Sequence, residues 1–514
     1  MSVISRYRWR MSISMTLALL ALILALVFTL SSGALTFAAG LLQISADPFT
    51  QATCQASSTT NHHTEVEPDT YSNGSTIVAT FQVGRVFDGG SCDIGWATSA
   101  NNGTSWTNGL LPGTTTFATP PGPYDRISDP AVAYDAKAGI WIISSLALKG
   151  TSGAAVLVSQ STDSTGTAWN NPVIVHAASG SENLDKEWIT CDDTSASSFY
   201  GHCYVEWDNN GAGNLLQMST SANGGNTWSA PATNNTGVIG GQPVVRPDGT
   251  VIVPIDNANE TAVGAFNSTN GGASWSAVTT IATIKHHTVA GGLREGPLPS
   301  AEIDGSGTVY VAWSDCRFRR SCKTNDLVLS HSLNSTGTSW STVTRVPIDA
   351  TNSGIDHFIP GLGVNKGTSG SSAQLGLTYY FYPSGTTHLS VGFISSTTAG
   401  STWSTPQTLI SGMSTGWLAT TSQGRMVGDY ISTSYGSDNL AHGVFATASA
   451  PTSGTNCSDV PDNCVEPMDT FSTGLASGSL SSAGDPVLFS GNGGVNANSL
   501  WNVVDNNGIK HRAN

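Results

Sequence analysis

A short pattern, Ser-x-Asn-x-Gly-x-Ser/Thr-Trp, recurs along this chain and limits its folding options more than any other feature. It is complete at 99–106, 221–228 and 268–275. Three looser copies end at Trp169, Trp340 and Trp403, each with a glycine three residues earlier (Gly166, Gly337, Gly400). Successive tryptophans are 63, 59, 47, 65 and 63 residues apart. Periods of this size mark repeat architectures, in which one supersecondary unit is copied and stacked.

The pattern suits a tight turn between two strands. The Asn side chain can accept from backbone N–H groups a few residues on, and the Gly can take a positive φ without a Cβ clash. Ser and Thr hydroxyls close the turn, while the Trp covers apolar surface and needs a partner for its N–H. Around each copy the sequence reads as four short strands. In the clearest unit, 130–134 alternates, 140–148 is an apolar run, 154–159 is a third strand, and 173–175 follows the turn. One such sheet is too small to bury both faces, and stacking sheets about an axis solves this.

The expectation is an all-β fold, a β-propeller of six or seven four-stranded antiparallel blades with the motif turns on one face. Blades are expected near 64–118, 127–178, 184–235, 240–283, 297–348 and 357–412. Further strands at 426–434, 440–448 and 469–475 favour seven, the last incomplete, over six with an extension. The expected layout is 1–39 as export segment, 40–63 as exposed lead-in, 64–475 as propeller, and 476–514 as a Ser-, Gly- and Asn-rich tail.

Arg6, Arg8 and Arg10 precede an apolar run and then small residues, the layout of a secretory signal, with an uncleaved membrane anchor as the rival. Secretion or display at the cell surface is therefore expected. Eight cysteines fall into four close couples, Cys54 with Cys92, Cys191 with Cys203, Cys316 with Cys322 and Cys457 with Cys464. Behind an export signal these read as disulfides, although eight cysteines allow about 105 connectivities. No C-x-x-C pair is present, which argues against structural zinc. Net charge is −15, so nucleic acid is not an expected partner.

The motif repeats at this spacing resemble the Asp-box, or bacterial-neuraminidase-repeat, turns of the sialidase superfamily, over residues 64 to about 412. The resemblance implies an exo-glycosidase that releases terminal sialic acid or a related acidic sugar. It needs three arginines for the substrate carboxylate, a Tyr nucleophile assisted by Glu, and an Asp acid/base. No cofactor and no metal are expected, with a glycan or sialylated glycoconjugate as partner and a monomer as the state of the chain. Asp boxes also occur in propellers that only bind, so a non-catalytic glycan- or protein-binding propeller is the alternative.

Topology narrows the search. If the motif joins strands three and four, the starts of the first strands and the two–three loops share the opposite face. That face carries much of the charge in a chain only 11% charged: Glu65 and Glu67, Arg126 with Asp129, Asp185 to Glu187, Arg294, Arg425, and Asp429 with Tyr430. The order loosely follows the superfamily's. On that resemblance Tyr430, Glu187 and Asp129 are the candidate catalytic residues, and Arg126, Arg294, Arg317 and Arg425 the candidate substrate-binding ones. Two departures stand out: Arg126-Ile127-Ser128 replaces the superfamily's R-I-P, and it falls in the second counted blade. Arg126 and Asp129 could equally pair with each other, Glu187 could simply start a strand, and Arg317 could belong to a solvated disulfide loop. Asp192 and Asp193 are too few for a calcium site and suit turn capping. His62, His63, His286 and His287 read as loop residues.

Overall fold

The computed structural model describes residues 40–56 and 58–478, with strand backbone at Thr36–Phe37, Asn502–Val504 and Lys510–Arg512. The export segment at 1–39 and most of the tail lie outside the described residues. Chain contacts separate 37–486 from the two termini. In the terminal unit, Asn502–Val504 pairs antiparallel with Lys510–Arg512.

Unit 37–486 is all-β. Among the described residues, helical structure is confined to three-residue 3-10 turns. The strands group into consecutive antiparallel sheets, numbered here I to VII. Sheet I is Thr60–Asn73, Thr76–Val86, Ser91–Ser99 and Thr107–Leu110, and sheet II is Arg126–Asp135, Ile140–Lys149, Ser152–Gln160 and Val173–Ala177. Sheet III has three strands, Leu184–Cys191, Cys203–Asn209 and Leu215–Ser221, and isolated bridges at Ala232 and Gly237 stand in for a fourth. Sheets IV, V and VI begin at Val238–Gly241, Ser300–Ile303 and Asp356–Val364. Sheet VII is Ser432–Tyr435, Ala441–Ala446 and Met468–Phe471, and its outer strand is Leu41–Gln43 from the start of the unit.

That last pairing corrects the expectation of an exposed lead-in. Leu41 lies opposite Phe471 and Gln43 opposite Asp469, while Ile44, Phe49 and Cys54 are buried. The Cys54–Cys92 disulfide ties this segment to sheet I. All four neighbouring cysteine couples are disulfide-bonded. Among the described residues no helix is long and apolar enough to cross a membrane.

Apolar side chains pack between successive sheets rather than within one. Val78, Ile94 and Trp96 of sheet I meet Val132, Trp141 and Leu157 of sheet II, and Tyr204 and Met218 of sheet III meet Val251 and Phe266 of sheet IV. Neighbouring first strands are also stitched by polar groups. Val132 N donates to Asp69, Lys186 N to Asp129, Ala301 N to Gln242, and Leu362 N to Ser300 Oγ. Thr433 Oγ1 donates to the Gly361 carbonyl, and Ser72 Oγ donates to the Tyr435 carbonyl, joining sheet VII to sheet I. Only glycine fits at Gly361 and Gly363, where an added Cβ would stand 2.8 and 2.6 Å from the carbonyls of Ile431 and Thr433.

The motif turns join third to fourth strands. In 221–228, Gly225 N donates to Ser221 Oγ (2.9 Å), Thr227 N to Asn223 Oδ1 (3.0 Å), and Trp228 Nε1 to the Gly225 carbonyl (3.0 Å). The same bonds recur in 99–106. Each motif glycine has positive φ and backs onto the preceding sheet: Gly166 onto Val78, Gly225 onto Val158, Gly272 onto Tyr204, Gly337 onto Ile252 and Gly400 onto Leu329. Gly103 of sheet I backs onto His442 of sheet VII.

Candidate functional site

Five first strands carry a bulge near their leading end, and at each bulge the register slips. The residue there is left-handed: Glu67 (φ 56°), Asp129 (φ 49°), Lys186 (φ 52°), Gly240 (φ 70°) and Ile359 (φ 49°). Four of the five have side chains, so four sheets hold backbone strain at this point of their first strands. Bulges re-aim side chains, and strain of this kind gathers at functional sites.

The bulges bring Glu67, Asp129 and Lys186 together with Arg294 and Asp429. Arg294 Nε donates to Asp429 Oδ1 at 2.8 Å; its Nη2 and Lys186 Nζ both donate to Asp429 Oδ2. Gln82 Nε2 donates to Glu67, whose Oε1 accepts from Asp429 N at 3.3 Å. Burial works to raise the Asp429 carboxyl, but Arg294 and Lys186 hold it well below the usual carboxylate range. Burial, then Asp129 and Asp429, push Glu67 up to about 8. Burial and the neighbouring Arg294 bring Arg85 down to about 10.

Tyr430 follows Asp429 and is buried. Its ring meets Trp188 edge-on at 4.9 Å, and its hydroxyl donates to the Pro130 carbonyl at 3.1 Å. Burial raises its pKa, and the carboxyls of Glu67, Asp129, Glu187 and Asp69 raise it further. Glu187 is also held well above the usual range by burial, Asp129 and Glu206. A small cavity is lined by Asp129, Lys186, Glu187, Trp188, Gln242 and Tyr430, with the Gly240–Gly241 backbone. The cavity therefore brings together a phenol, two carboxyls and the Lys186 ammonium, the residue types of acid/base and anion-holding chemistry.

Tyr430, Glu187 and Asp129 thus line one cavity, and Arg294 is linked to it only through Asp429, which it shares with Lys186. The other three arginines do not join them. Arg126 is buried, with Nε donating to the Ala56 carbonyl at 2.9 Å and Nη1 to Asp88 at 2.6 Å. Arg317 is paired with Asp315 and lies over Trp313. Arg425 pairs through its backbone with Arg294 and Gly292, but its guanidinium donates to the Leu418 carbonyl, Thr420 and Ser458. The expected convergence of arginines fails because each has an acceptor of its own nearby. Asp129 accepts from Ser128 and Lys186 N rather than pairing with Arg126.

Lys186, Glu67 and Asp429 stand out in the sequence only as charges expected on this face, without roles of their own. A signal existed: an acid precedes proline at Glu67-Pro68 and Asp129-Pro130, as Ile359 precedes Pro360. Proline lacks the N–H that a bulge leaves unpaired. His62 is not a loop residue; it lies buried in sheet I against Asp47 and the Cys54 carbonyl. His286 pairs with buried Glu295. Asp192 caps its turn through Thr194 N and Ser197.

A second cavity of about 230 Å³ is lined by residues from the first strands of every sheet but IV, which contributes Gln242 to Val245 instead. Its charged groups are largely committed to one another. Lys366 Nζ donates to Tyr71 Oη (2.8 Å), which donates to Asp193 (2.6 Å). Asp326, Asp349 and His357 have ligand atoms within 4.8 Å of one another, but Arg319 spans both carboxylates at 2.6 Å and Arg345 Nε reaches Asp326 at 2.8 Å. These carboxylates already hold two guanidinium groups, so the group fits arginines rather than a metal ion.

No protein-family model and no curated protein matches this chain. Solved structures of similar shape include a protein of unknown function from Dyadobacter fermentans (16% identity, 70% of this chain, 98% of that one, TM-score 0.43). A Hadza microbial sialidase is 16% identical over 62% of this chain and 64% of that one (TM-score 0.42). An ulvan lyase, a polysaccharide lyase, is 9% identical over 85% and 96% (TM-score 0.48).

Proposed function

We propose that sheets I to VII are the blades of one closed seven-bladed β-propeller, with Leu41–Gln43 completing the last blade. Its leading end takes a polar, anionic carbohydrate, and the chain is an exported glycoside hydrolase of the Asp-box kind. One observation carries this reading: Tyr430 lines one cavity with Asp129, Glu187 and Lys186, and Lys186 shares the Asp429 carboxylate with Arg294.

In this reading Tyr430 is the nucleophile. A neutral phenol can approach an anomeric carbon that bears a carboxylate, where an anionic nucleophile would be repelled. Glu187, whose carboxyl burial holds well above the usual range, donates a proton to the departing oxygen, and Asp129 takes the phenol's proton, the reverse of the roles that the superfamily resemblance implies. Arg294 and Lys186 hold the substrate's negative charge.

A second reading is favoured by the internal engagement of Arg126, Arg317 and Arg425: a propeller that binds glycan at this end without turning it over. Fluorogenic sialoside and glucuronide substrates, assayed from acidic to neutral pH, separate the two. Turnover that disappears in Tyr430→Phe supports the hydrolase. Glycan binding by folded protein without turnover supports the binding propeller.

A further inference from the structure

The disulfide loop between the second and third strands of sheet V holds four of the chain's 20 lysines and arginines, Arg317, Arg319, Arg320 and Lys323. They have different surroundings. Arg319 is buried, its Nη2 donating to Asp326 and Asp349 at 2.6 Å and its Nη1 to the Ala350 carbonyl at 3.0 Å. Arg317 lies on Asp315 at 2.7 Å and over Trp313. Arg320 and Lys323 are exposed, and the Phe318 ring between these arginines is 38% exposed.

Lys285 joins this group from the segment before sheet V. Its carbonyl accepts from Cys316 N at 2.6 Å, which sets this exposed lysine at the root of the loop. Among the described residues, the side chains of Lys285, Arg320 and Lys323 make no ion pair and no hydrogen bond. The acids around them are engaged elsewhere: Asp315 with Arg317, Asp326 and Asp349 with Arg319 and Arg345, and Glu295 with His286. Glu260 leans toward Gly296. Three uncompensated cations thus stand on one loop of a chain whose net charge is −15. The Cys316–Cys322 disulfide and the buried Arg319 fix that loop, so little ordering is lost when it binds.

We propose that this loop is a docking surface for one strand of a linear acidic polysaccharide. Lys285, Arg320 and Lys323 pair with its carboxylates, and the Phe318 ring packs against the C–H face of a sugar unit. Charge complementarity sets the sign of the partner, and the small size of the patch sets its width. A membrane or a nucleic-acid duplex presents an extended anionic surface that repels the rest of this acidic chain, whereas a single strand touches the loop alone. Loops between second and third strands share the leading end with the first-strand bulges, so a strand held here lies at the end proposed to take carbohydrate. The choice of a sugar polymer among anionic strands rests on that reading; the attraction of a polyanion does not.

Biolayer interferometry on the full chain, with immobilised polygalacturonate as probe, tests the proposal. Wild type is expected to bind at about 50 mM NaCl and to lose roughly tenfold in affinity by about 300 mM, because salt screens exposed charges. Fully methyl-esterified polygalacturonate, the same chain without its charge, is not retained. Arg320→Glu combined with Lys323→Glu weakens binding by roughly tenfold or more at an unchanged melting temperature, since neither side chain has an internal partner. Phe318→Ala costs about threefold, the contribution of the ring. Lys137→Glu combined with Lys149→Glu makes the same change in net charge at exposed positions of sheet II and leaves binding within about twofold. The assignment is overturned by no binding in wild type, by equal losses in the two charge-reversed pairs, or by capture of single-stranded oligo(dT) or anionic lipid vesicles in preference to polygalacturonate. The readout is binding, so failure here leaves the Tyr430 reading standing, and absence of sialoside turnover leaves this one standing.

Discussion

Arg294 and Asp429, 135 residues apart in sequence, meet as a two-point pair at the leading end of the sheets, and Lys186 closes on the same carboxylate. Sheet III, the segment before sheet V, and the start of sheet VII are therefore joined through one buried side chain. Asp429→Asn leaves two cations without their shared partner. The expected loss of stability is about 3–5 kcal/mol, the usual result of breaking a buried ion pair from one side. Chemical denaturation of the variant measures it; a change within error would mean that Glu67 and Asp129 take over the pairing.

Stability should fall as pH rises from mildly acidic to mildly basic. Glu67 is pushed from 4.5 to about 8, Asp256 from 3.8 to about 8, and Asp69 and Asp93 from 3.8 to about 7, in each case first by burial. A group whose folded pKa is raised contributes stability that is full below its unfolded pKa and is lost as pH rises through the folded value. Asp429 acts oppositely: its folded pKa is depressed, so its contribution is present above about 3.8 and fades as pH falls. Melting temperatures should peak near pH 5 and decline steadily to pH 8.5; a flat profile would contradict neutral buried carboxyls.

Asp129 separates activity from folding. Asparagine tolerates the left-handed backbone there, and its amide can still accept from Lys186 N. Asp129→Asn should keep its melting temperature within a few degrees while lowering turnover by about a hundredfold or more, the scale of lost acid/base help. Calorimetry and kinetics on one preparation measure both.

Two glycines of equivalent motif turns should differ in cost. A Cβ at Gly225 would meet Gln160 and Val158 at an ordinary 3.4 Å, so Gly225→Ala carries mainly the positive-φ penalty of about 1–2 kcal/mol. A Cβ at Gly272 would stand 2.1 Å from Thr220 Oγ1, so the same change there costs more. Thermal melts of the two variants rank them. Equal losses would mean that Thr220 moves aside freely.

The motif turns were readable in the sequence because their bonds are local: Ser221, Asn223, Gly225 and Trp228 satisfy one another within eight residues. The disulfide partners are near in sequence for a related reason, since the longest couple spans 38 residues. Leu41–Gln43 was missed because its partner lies more than 400 residues away and three residues carry no periodicity. The arginines are not legible in sequence for a different cause. Residue type and order place Arg126, Arg317 and Arg425 near a face, but only the positions of Asp88, Asp315 and the Leu418 carbonyl decide where each guanidinium points. Tyr430, Glu187 and Asp129 line one cavity because Asp129 and Glu187 sit in the leading parts of first strands and Tyr430 just ahead of one, a placement that the repeat made legible.

The location of bound sugar tests the proposed function most directly. In a crystal of wild-type protein soaked with N-acetylneuraminic acid, the account predicts the carboxylate against Arg294 and Lys186, with the anomeric carbon facing Tyr430 Oη. Sugar bound instead at the second cavity beside Lys366 and Tyr71, or no sugar at the leading end, would contradict it.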